Sequence, residues 1–367
     1  MENSKMLLKY LINKSYFNKM KNRKKIKYLQ FYITNKCTES CEHCYLKNTK
    51  IQKELTTKEV ISKIEEFLEY CQKTNKIPII DLIGGDPFLR LDIKNILRYL
   101  KLKKINFGIK GNPNLLPQNI NLLVEYGARR YQLSLDGTEE IHDRIRSKGS
   151  FKKTIESIKL LNDVNIPVNI KFTLSSENET ELWKLLYYLY TQNLKISSFS
   201  ISRYHNSEFL KNSYNKKKFE KFFDDFISEL ESFYKLQAKN KRINILINFK
   251  EHLWYPYLHQ NGYILEEIYS EIEKNSYTLS CSLISCDSIF LKSDGTYIVC
   301  PKIDNFKGSK IFSEYKERKK AYLKNVIEKS CVNCLYKKSC MGCLAFYNNF
   351  KDIACFLHST LKEFVKM

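Results

Sequence analysis

From residue 28 onward, short apolar runs alternate with longer segments whose apolar positions recur every three or four residues. The runs at 28–34, 78–83, 106–110, 130–135, 167–173 and 197–202 predict strands. Between them, helical spacing covers about 57–72, 92–102, 118–127, 151–164, 180–193 and 216–236. In the first of these, Val60, Ile61, Ile64, Phe67 and Leu68 recur at helical spacing, and Thr56 followed by Glu59 predicts a capping box. Six strand–helix units in succession predict an α/β fold with a parallel sheet built from right-handed crossovers. Such a sheet is either open or curved into a partial barrel, and the pattern does not choose. In both cases sites lie at the C-terminal ends of the strands.

From about residue 275 the pattern changes to a cysteine-rich segment with a predicted hairpin over 288–299, turning at Ser293-Asp294-Gly295. The expected division is a basic leader (1–27), an α/β body (28–240), a bridge (241–274) with helical spacing at 265–273, and a cysteine-rich domain (275–367). A chain of 367 residues, 43% hydrophobic with 25 Tyr and 22 Phe, can bury a large core and is globular rather than disordered. No run is apolar and long enough to span a bilayer and the N-terminus lacks an apolar signal core, so a cytoplasmic protein is expected, with no membrane partner. The net charge of +22 would attract acidic peptides, nucleic acid or anionic membranes. The lysines form no localised stripe, so nucleic acid is not expected as a partner, and the patch at 19–27 is taken as a solvated leader.

The twelve cysteines sharpen the picture. In a reducing compartment they predict metal ligands rather than disulfides. Cys37, Cys41 and Cys44 follow the first strand, eight lie beyond residue 280, and Cys71 sits alone on the first helix as a packed thiol. Three closely spaced thiolates suit three irons of a cubane cluster and leave the fourth iron open to chelate the amino and carboxylate groups of a small molecule. Zinc fits less well, because four-cysteine zinc sites usually arrive as two Cys-x-x-Cys pairs. His43 lies between two ligands on a short tether and is expected to be a passenger.

The triplet after the first strand resembles the radical S-adenosylmethionine (radical SAM) superfamily. The resemblance implies a partial (β/α)6 TIM-like barrel, a [4Fe-4S] cluster on Cys37, Cys41 and Cys44, and S-adenosyl-L-methionine cleaved to a 5′-deoxyadenosyl radical. Gly84-Gly85-Asp86-Pro87, at the end of the second strand, resembles the family's Gly-Gly-Glu-Pro motif, which contacts the methionine amino group largely through backbone. Ser134-Leu135-Asp136-Gly137 followed by His142-Asp143-Arg144-Ile145-Arg146 resembles a segment of the peptide-modifying members. It implies that Ser134 and Asp136 lie near the cofactor and that Arg146 pairs with its carboxylate, for which a guanidinium offers two parallel donors. From the residues alone, Asp136 could equally cap the next helix and Arg146 make a surface pair. Asn112 is followed by Pro113 where the family often has Asn-Gly, which leaves its role open.

The late cysteines, Cys281, Cys286, Cys300, Cys331, Cys334, Cys340, Cys343 and Cys355, resemble the SPASM domain, with the last gap of its core one residue shorter. The resemblance implies two auxiliary [4Fe-4S] clusters, one on Cys281, Cys286, Cys300 and Cys343 and the other on Cys331, Cys334, Cys340 and Cys355. A pair of zinc sites is the alternative. The expected function is a radical SAM/SPASM maturase that oxidatively modifies, as a crosslink, a ribosomally synthesised precursor peptide or a protein substrate. The alternatives are a formylglycine-forming sulfatase maturase, disfavoured because Pro301 stands where those enzymes have a basic Asp, and a peptide epimerase, for which only Cys71 is spare. A different class is a non-catalytic basic metal-binding interaction protein. With 36 residues ahead of Cys37, leader recognition is expected to need a separate leader-binding protein, and reduction an electron donor such as flavodoxin or ferredoxin.

Overall fold

A computed structural model describes residues 8–14, 25–46, 53–204, 216–240, 244–250, 253–274, 287–303, 306–329, 331, 334–337, 340, 343–348, 351–352 and 355. The six predicted strands are β1 (Ile26–Thr34), β2 (Ile77–Gly84), β3 (Asn106–Lys110), β4 (Tyr131–Ser134), β5 (Val168–Leu174) and β6 (Ser198–Arg203). The helices between and after them are α1 (Thr57–Lys73), α2 (Ile93–Leu102), α3 (Leu116–Tyr126), α4 (Glu139–Ile145), α5 (Ser150–Asp163), α6 (Glu181–Thr191) and α7 (Lys216–Asn240). The capping box at Thr56 and Glu59 forms in full, and Cys71 packs in the core.

β5 shows why these segments are strands of one sheet face. Val168, Ile170, Phe172 and Leu174 are buried, whereas the alternating Asn169, Lys171 and Thr173 are only half-buried. Each fully buried apolar side chain of this kind contributes about 1.5–3 kcal/mol. Period-two alternation in a parallel strand flanked on both sides means that one face carries helices and the other faces an interior that water reaches.

The strand order is β7-β6-β5-β4-β3-β2-β1-β8-β9, where β7 is Ile247–Phe249, β8 Ser288–Leu291 and β9 Tyr297–Ile298. From β1 to β7, strands adjacent in sequence are adjacent in the sheet and parallel, so this part of the chain winds in one direction without a switch point, and the β8–β9 hairpin adds on the other side of β1. Curvature is visible in the charges. In a flat sheet β7 and β2 would stand five strand spacings, or about 24 Å, apart. Yet Lys250, just past β7, lies close enough to Asp81 of β2 and Lys110 of β3 to feel both charges. The sheet is a partial barrel, and its C-terminal rim gathers the loops after β1, β2, β4 and β6.

The predicted hairpin forms, with Gly295 at φ +84° in its turn. β8 also pairs in parallel with β1, Tyr28–Phe31 against Ser288–Leu291, so the hairpin extends the barrel sheet. The bridge holds α8 (Trp254–Gln260) and α9 (Glu266–Lys274), the latter at the predicted helical spacing. α10 (Phe312–Lys329) fills the interval between Cys300 and Cys331. No helix among the described residues is long and apolar enough to cross a membrane.

Candidate functional site

The loop leaving β1 is fixed at both ends. Glu54 accepts hydrogen bonds from Thr34 Oγ1 at 2.7 Å and from the Asn35 N–H at 3.1 Å, and Thr34 Oγ1 in turn accepts from the Lys36 N–H at 3.1 Å. Its outgoing end is clamped by Arg90, whose guanidinium donates to the Ile33 carbonyl at 2.7 Å and the Leu55 carbonyl at 3.0 Å. Cys37 is exposed, Cys41 buried and Cys44 half-buried.

Gly84 and Gly85 press against this loop from β2. The Gly85 N–H donates to the Thr34 carbonyl at 3.0 Å and the Asp86 N–H to the Lys36 carbonyl at 2.8 Å. A Cβ on Gly85 would meet the Lys36 carbonyl oxygen at 2.0 Å and Cys37 Cβ at 2.9 Å, so only glycine permits the approach. Asp86 is fully buried. Its Oδ1 accepts from the Phe88 N–H at 3.0 Å, while its Oδ2 has no partner. Burial pushes its carboxyl up to about 6.

From the other side, Arg146 reaches the loop. Its Nε donates to Asp136 Oδ2 at 2.7 Å, its Nη1 lies 3.5 Å from Cys41 Sγ and 3.6 Å from Glu39 Oε2, and its Nη2 is 3.5 Å from His43 Nε2. Asp136 is wholly enclosed and also accepts from the Thr173 N–H at 2.7 Å. Although burial works against its charge, Arg146 and His43 outweigh that and hold the carboxyl below its usual range. The Asp136–Arg146 pair is therefore internal, and Thr138 rather than Asp136 occupies the N-cap of α4. Ser134 lies on the interior face of β4, opposite Lys171 of β5.

Several contributors were not singled out in the sequence. Glu39 bonds Ser150 Oγ at 2.8 Å; Ser150 faces His142 Nε2 at 3.3 Å, and His142 Nδ1 accepts the Asp136 N–H at 3.1 Å. His43 is more than a bystander, lying 3.7 Å from Asp136 Oδ2. Asn112 is buried, and its amide nitrogen lies 3.6 Å from Cys37 Sγ and 3.2 Å from Thr38 Oγ1, so the Asn-Pro departure still brings the amide to the loop. For Glu39 and His43 the sequence spacing carries no signal, because they act across tens of residues, whereas His142 reaches Asp136 and Ser150 from six and eight residues away.

Of the late cysteines, Cys281 and Cys286 lie outside the described residues. Cys300 follows β9, its thiol pushed up to about 11 by burial, with Cys343 near enough to add to the effect. Cys300 also acts on Tyr45, which follows Cys44 and hydrogen-bonds Tyr32 at 2.9 Å, so the two cysteine regions approach each other here. Among the described residues, no three Cys, His, Asp or Glu side chains converge tightly enough to hold a single metal ion. A cubane is gripped at separate corners and needs a wider thiol spacing.

Residues 31–189 match the model of the radical SAM superfamily, a family that uses a [4Fe-4S] cluster and S-adenosylmethionine. Among curated proteins, the chain is similar to Fe-coproporphyrin III synthase of Methanosarcina barkeri, 27% identical over 41% of this chain and 37% of that protein. It is also similar to the sporulation killing factor maturation protein SkfB of Bacillus subtilis, 29% identical over 41% of this chain and 36% of that protein. The matched part thus spans under two fifths of the length of either relative. Among solved structures, Streptococcus suis SuiB bound to S-adenosylmethionine superposes with a TM-score of 0.67 at 16% identity, covering 90% of this chain and 77% of SuiB. SuiB bound to its precursor peptide SuiA gives 0.57 at 18% identity over 78% of this chain and 63% of that one. Over residues 31–189 the chain is thus similar to the radical SAM superfamily, and its fold is that of the SuiB structures.

Proposed function

We propose that this protein is a radical SAM peptide maturase with a C-terminal SPASM-type domain, and that it oxidatively crosslinks a ribosomally synthesised peptide. The observation that carries the cofactor assignment is the seating of the cysteine loop. Gly85 lies directly against Lys36 and Cys37, and Arg146 reaches Cys41 from the opposite side. The donor set fits the cofactors. Three thiols on one short loop suit a cluster with an open iron, and the unpartnered Asp86 Oδ2 suits an ammonium donor. Cys37, Cys41 and Cys44 would hold the cluster, and Gly84, Gly85, Asp86, Ser134, Asp136 and Arg146 would bind S-adenosylmethionine. When bound, these groups together supply the one-electron chemistry that removes a hydrogen atom from a substrate C–H.

The chain's own contribution is orientation and dryness. Asp136, held by the Thr173 N–H, fixes the Arg146 guanidinium, which keeps positive charge beside Cys41. Cys281, Cys286, Cys300 and Cys343, and separately Cys331, Cys334, Cys340 and Cys355, would hold two auxiliary clusters. A peptide substrate is supported by the likeness to SuiB with its bound precursor and by the similarity to SkfB. A separate leader-binding protein and a flavodoxin or ferredoxin donor complete the proposed partners. Formylglycine formation is disfavoured by Pro301, as in the sequence.

The test is iron and sulfide content after anaerobic reconstitution, together with 5′-deoxyadenosine release under dithionite. The expected result is about twelve irons per chain, falling to about eight when Cys37, Cys41 and Cys44 are all replaced by Ala, with loss of 5′-deoxyadenosine. Iron content unchanged by the triple substitution, or mostly zinc in both proteins, overturns the proposal.

A further inference from the structure

The barrel interior holds an excess of positive charge that the cofactor assignments leave unused. Alternation along β5 and β6 turns Lys171, Ser200 and Ser202 to the same inner face, with Lys171 directly opposite Ser200. Lys171 donates to Ser202 Oγ. Lys250 follows β7 and, though exposed, lies close enough to Lys110 for that charge to oppose its own. Lys302, two residues past Cys300, donates to the Arg203 carbonyl at 3.3 Å at the end of β6. Lys171 is close enough to Lys250 and Lys302 for both to oppose its charge, and Lys302 acts in the same way on His43 in the cysteine loop. The three ammonium groups therefore line the wall from β5 to β7 and continue across to the cysteine-rich region.

The charges of Asp136 on Lys171, and of Asp81 and Asp287 on Lys250, are felt without any of them forming an ion pair. Asp81 is already shared by Lys110 at 3.1 Å and by Arg130, and Asp136 is bound to Arg146. Among the described residues no carboxylate forms an ion pair with Lys171, Lys250 or Lys302. Crowding like charges in a partly desolvated cavity is costly unless an anion joins them. Proteins keep such arrangements where a ligand supplies the missing charge.

We propose that this wall is a carboxylate site for the substrate, so that the peptide carries an aspartate or glutamate at or beside the residue that is modified. The inference rests on the peptide-modifying function above and names its substrate class. Lys302 links the site to the cysteine loop, so a carboxylate held there keeps its own carbon skeleton near the cofactor. The residues assigned to S-adenosylmethionine lie on the loops after β1, β2 and β4 and on the inner face of β4, whereas this wall spans β5 to β7.

The experiment is calorimetric titration of the reconstituted protein, saturated with S-adenosylmethionine, using two blocked pentapeptides, Ala-Ala-Glu-Ala-Ala and its Gln counterpart. The Glu peptide is expected to bind about tenfold more tightly, and the difference to shrink to about twofold or less in Lys171→Met and in Lys302→Met. The affinity for S-adenosylmethionine, measured separately, is expected to stay unchanged in both variants. Lys302 lies near the rim, so its variant carries the test if Lys171→Met does not fold. Equal affinity for the two peptides, or no binding of either, overturns the proposal. So does a tenfold loss of S-adenosylmethionine affinity in the variants, which would assign the lysines to the cofactor's own carboxylate. Tight binding of coproporphyrin III with no preference between the peptides would overturn it in favour of a porphyrin substrate. Absence of 5′-deoxyadenosine in the earlier assay would sink the radical chemistry, while this binding preference would still be read by itself.

Discussion

The loop bearing Cys37, Cys41 and Cys44 is held from outside itself. Backbone from β2, the Asn112 amide after β3, and Arg146 at the end of α4 all converge on it. The segment from Cys331 to Cys355 is organised differently. Its described backbone bonds are local: short turns, with the Cys334 N–H donating to the Cys331 carbonyl at 3.0 Å and the Cys340 N–H to the Tyr336 carbonyl at 2.8 Å, and an antiparallel pair of Tyr347–Asn348 with Lys351–Asp352. It reaches the body through Tyr336, whose hydroxyl meets His259 Nδ1 at 2.7 Å. The contrast teaches where each geometry comes from. The first loop is shaped by the barrel before anything binds. The second is held mainly by bonds within its own stretch, so cluster binding as proposed for its cysteines would be coupled to local folding. The exit of the first loop is also tied to the β8–β9 hairpin, the Leu55 N–H donating to the Ser293 carbonyl at 2.8 Å.

Three experiments press on that contrast. The largest effect is expected from Gly85→Val, whose Cβ would meet the Lys36 carbonyl at 2.0 Å, a backbone atom that cannot turn aside. It should cost about 4 kcal/mol in urea unfolding and abolish cofactor cleavage. Wild-type stability in this variant would mean that the barrel does not dictate the loop.

The next concerns pH. Burial, reinforced by the Arg146 charge, pushes the His142 imidazole down from 6.5 to about 4. Between those values the unfolded chain takes up a proton that the native state refuses, so stability falls as pH drops through this window and levels off below it. The whole loss is about 3 kcal/mol. Asp86, raised to about 6, acts in the opposite sense over part of this range, so the His142 loss is read as the difference between wild type and His142→Gln in urea titrations from pH 7 to 4. An unchanged slope in the variant would assign the acid sensitivity to other groups.

The smallest effect is expected from Tyr336→Phe, which removes the bond to His259 and should cost about 1 kcal/mol. Hydrogen exchange should speed up around residues 331–340 and stay unchanged at 37–44. Equal loosening of both regions would show them to be one cooperative unit.

Much of the molecule was legible in the chain. The period-two alternation of β5, the helical spacing of α1 with its Thr56–Glu59 cap, the thiol spacing at Cys37, Cys41 and Cys44, and the turn at Gly295 are local properties. They follow from which neighbours a strand, a helix or a turn brings side by side. β7 escaped because three residues are too few to show a period. α10 escaped for another reason. Phe312, Tyr315, Leu323 and Val326 fall on one face, but Lys319, also buried, interrupts the apolar stripe.

Sequence by itself determined the strands, the helices, the candidate cysteine ligands and the glycines beneath them, because each is set by interactions within a few residues. Only the tertiary structure decided that β1 to β7 wind in one direction and curve until Lys250 feels the charges of Asp81 and Lys110, and that β8 joins the sheet beside β1. The same holds for the meeting of Arg146, Glu39 and Asp136 at Cys41, and of Lys171, Lys250 and Lys302 across the opposite wall. Periodicity reports that a side chain faces inward. What it faces depends on strand order and curvature, which no local pattern encodes.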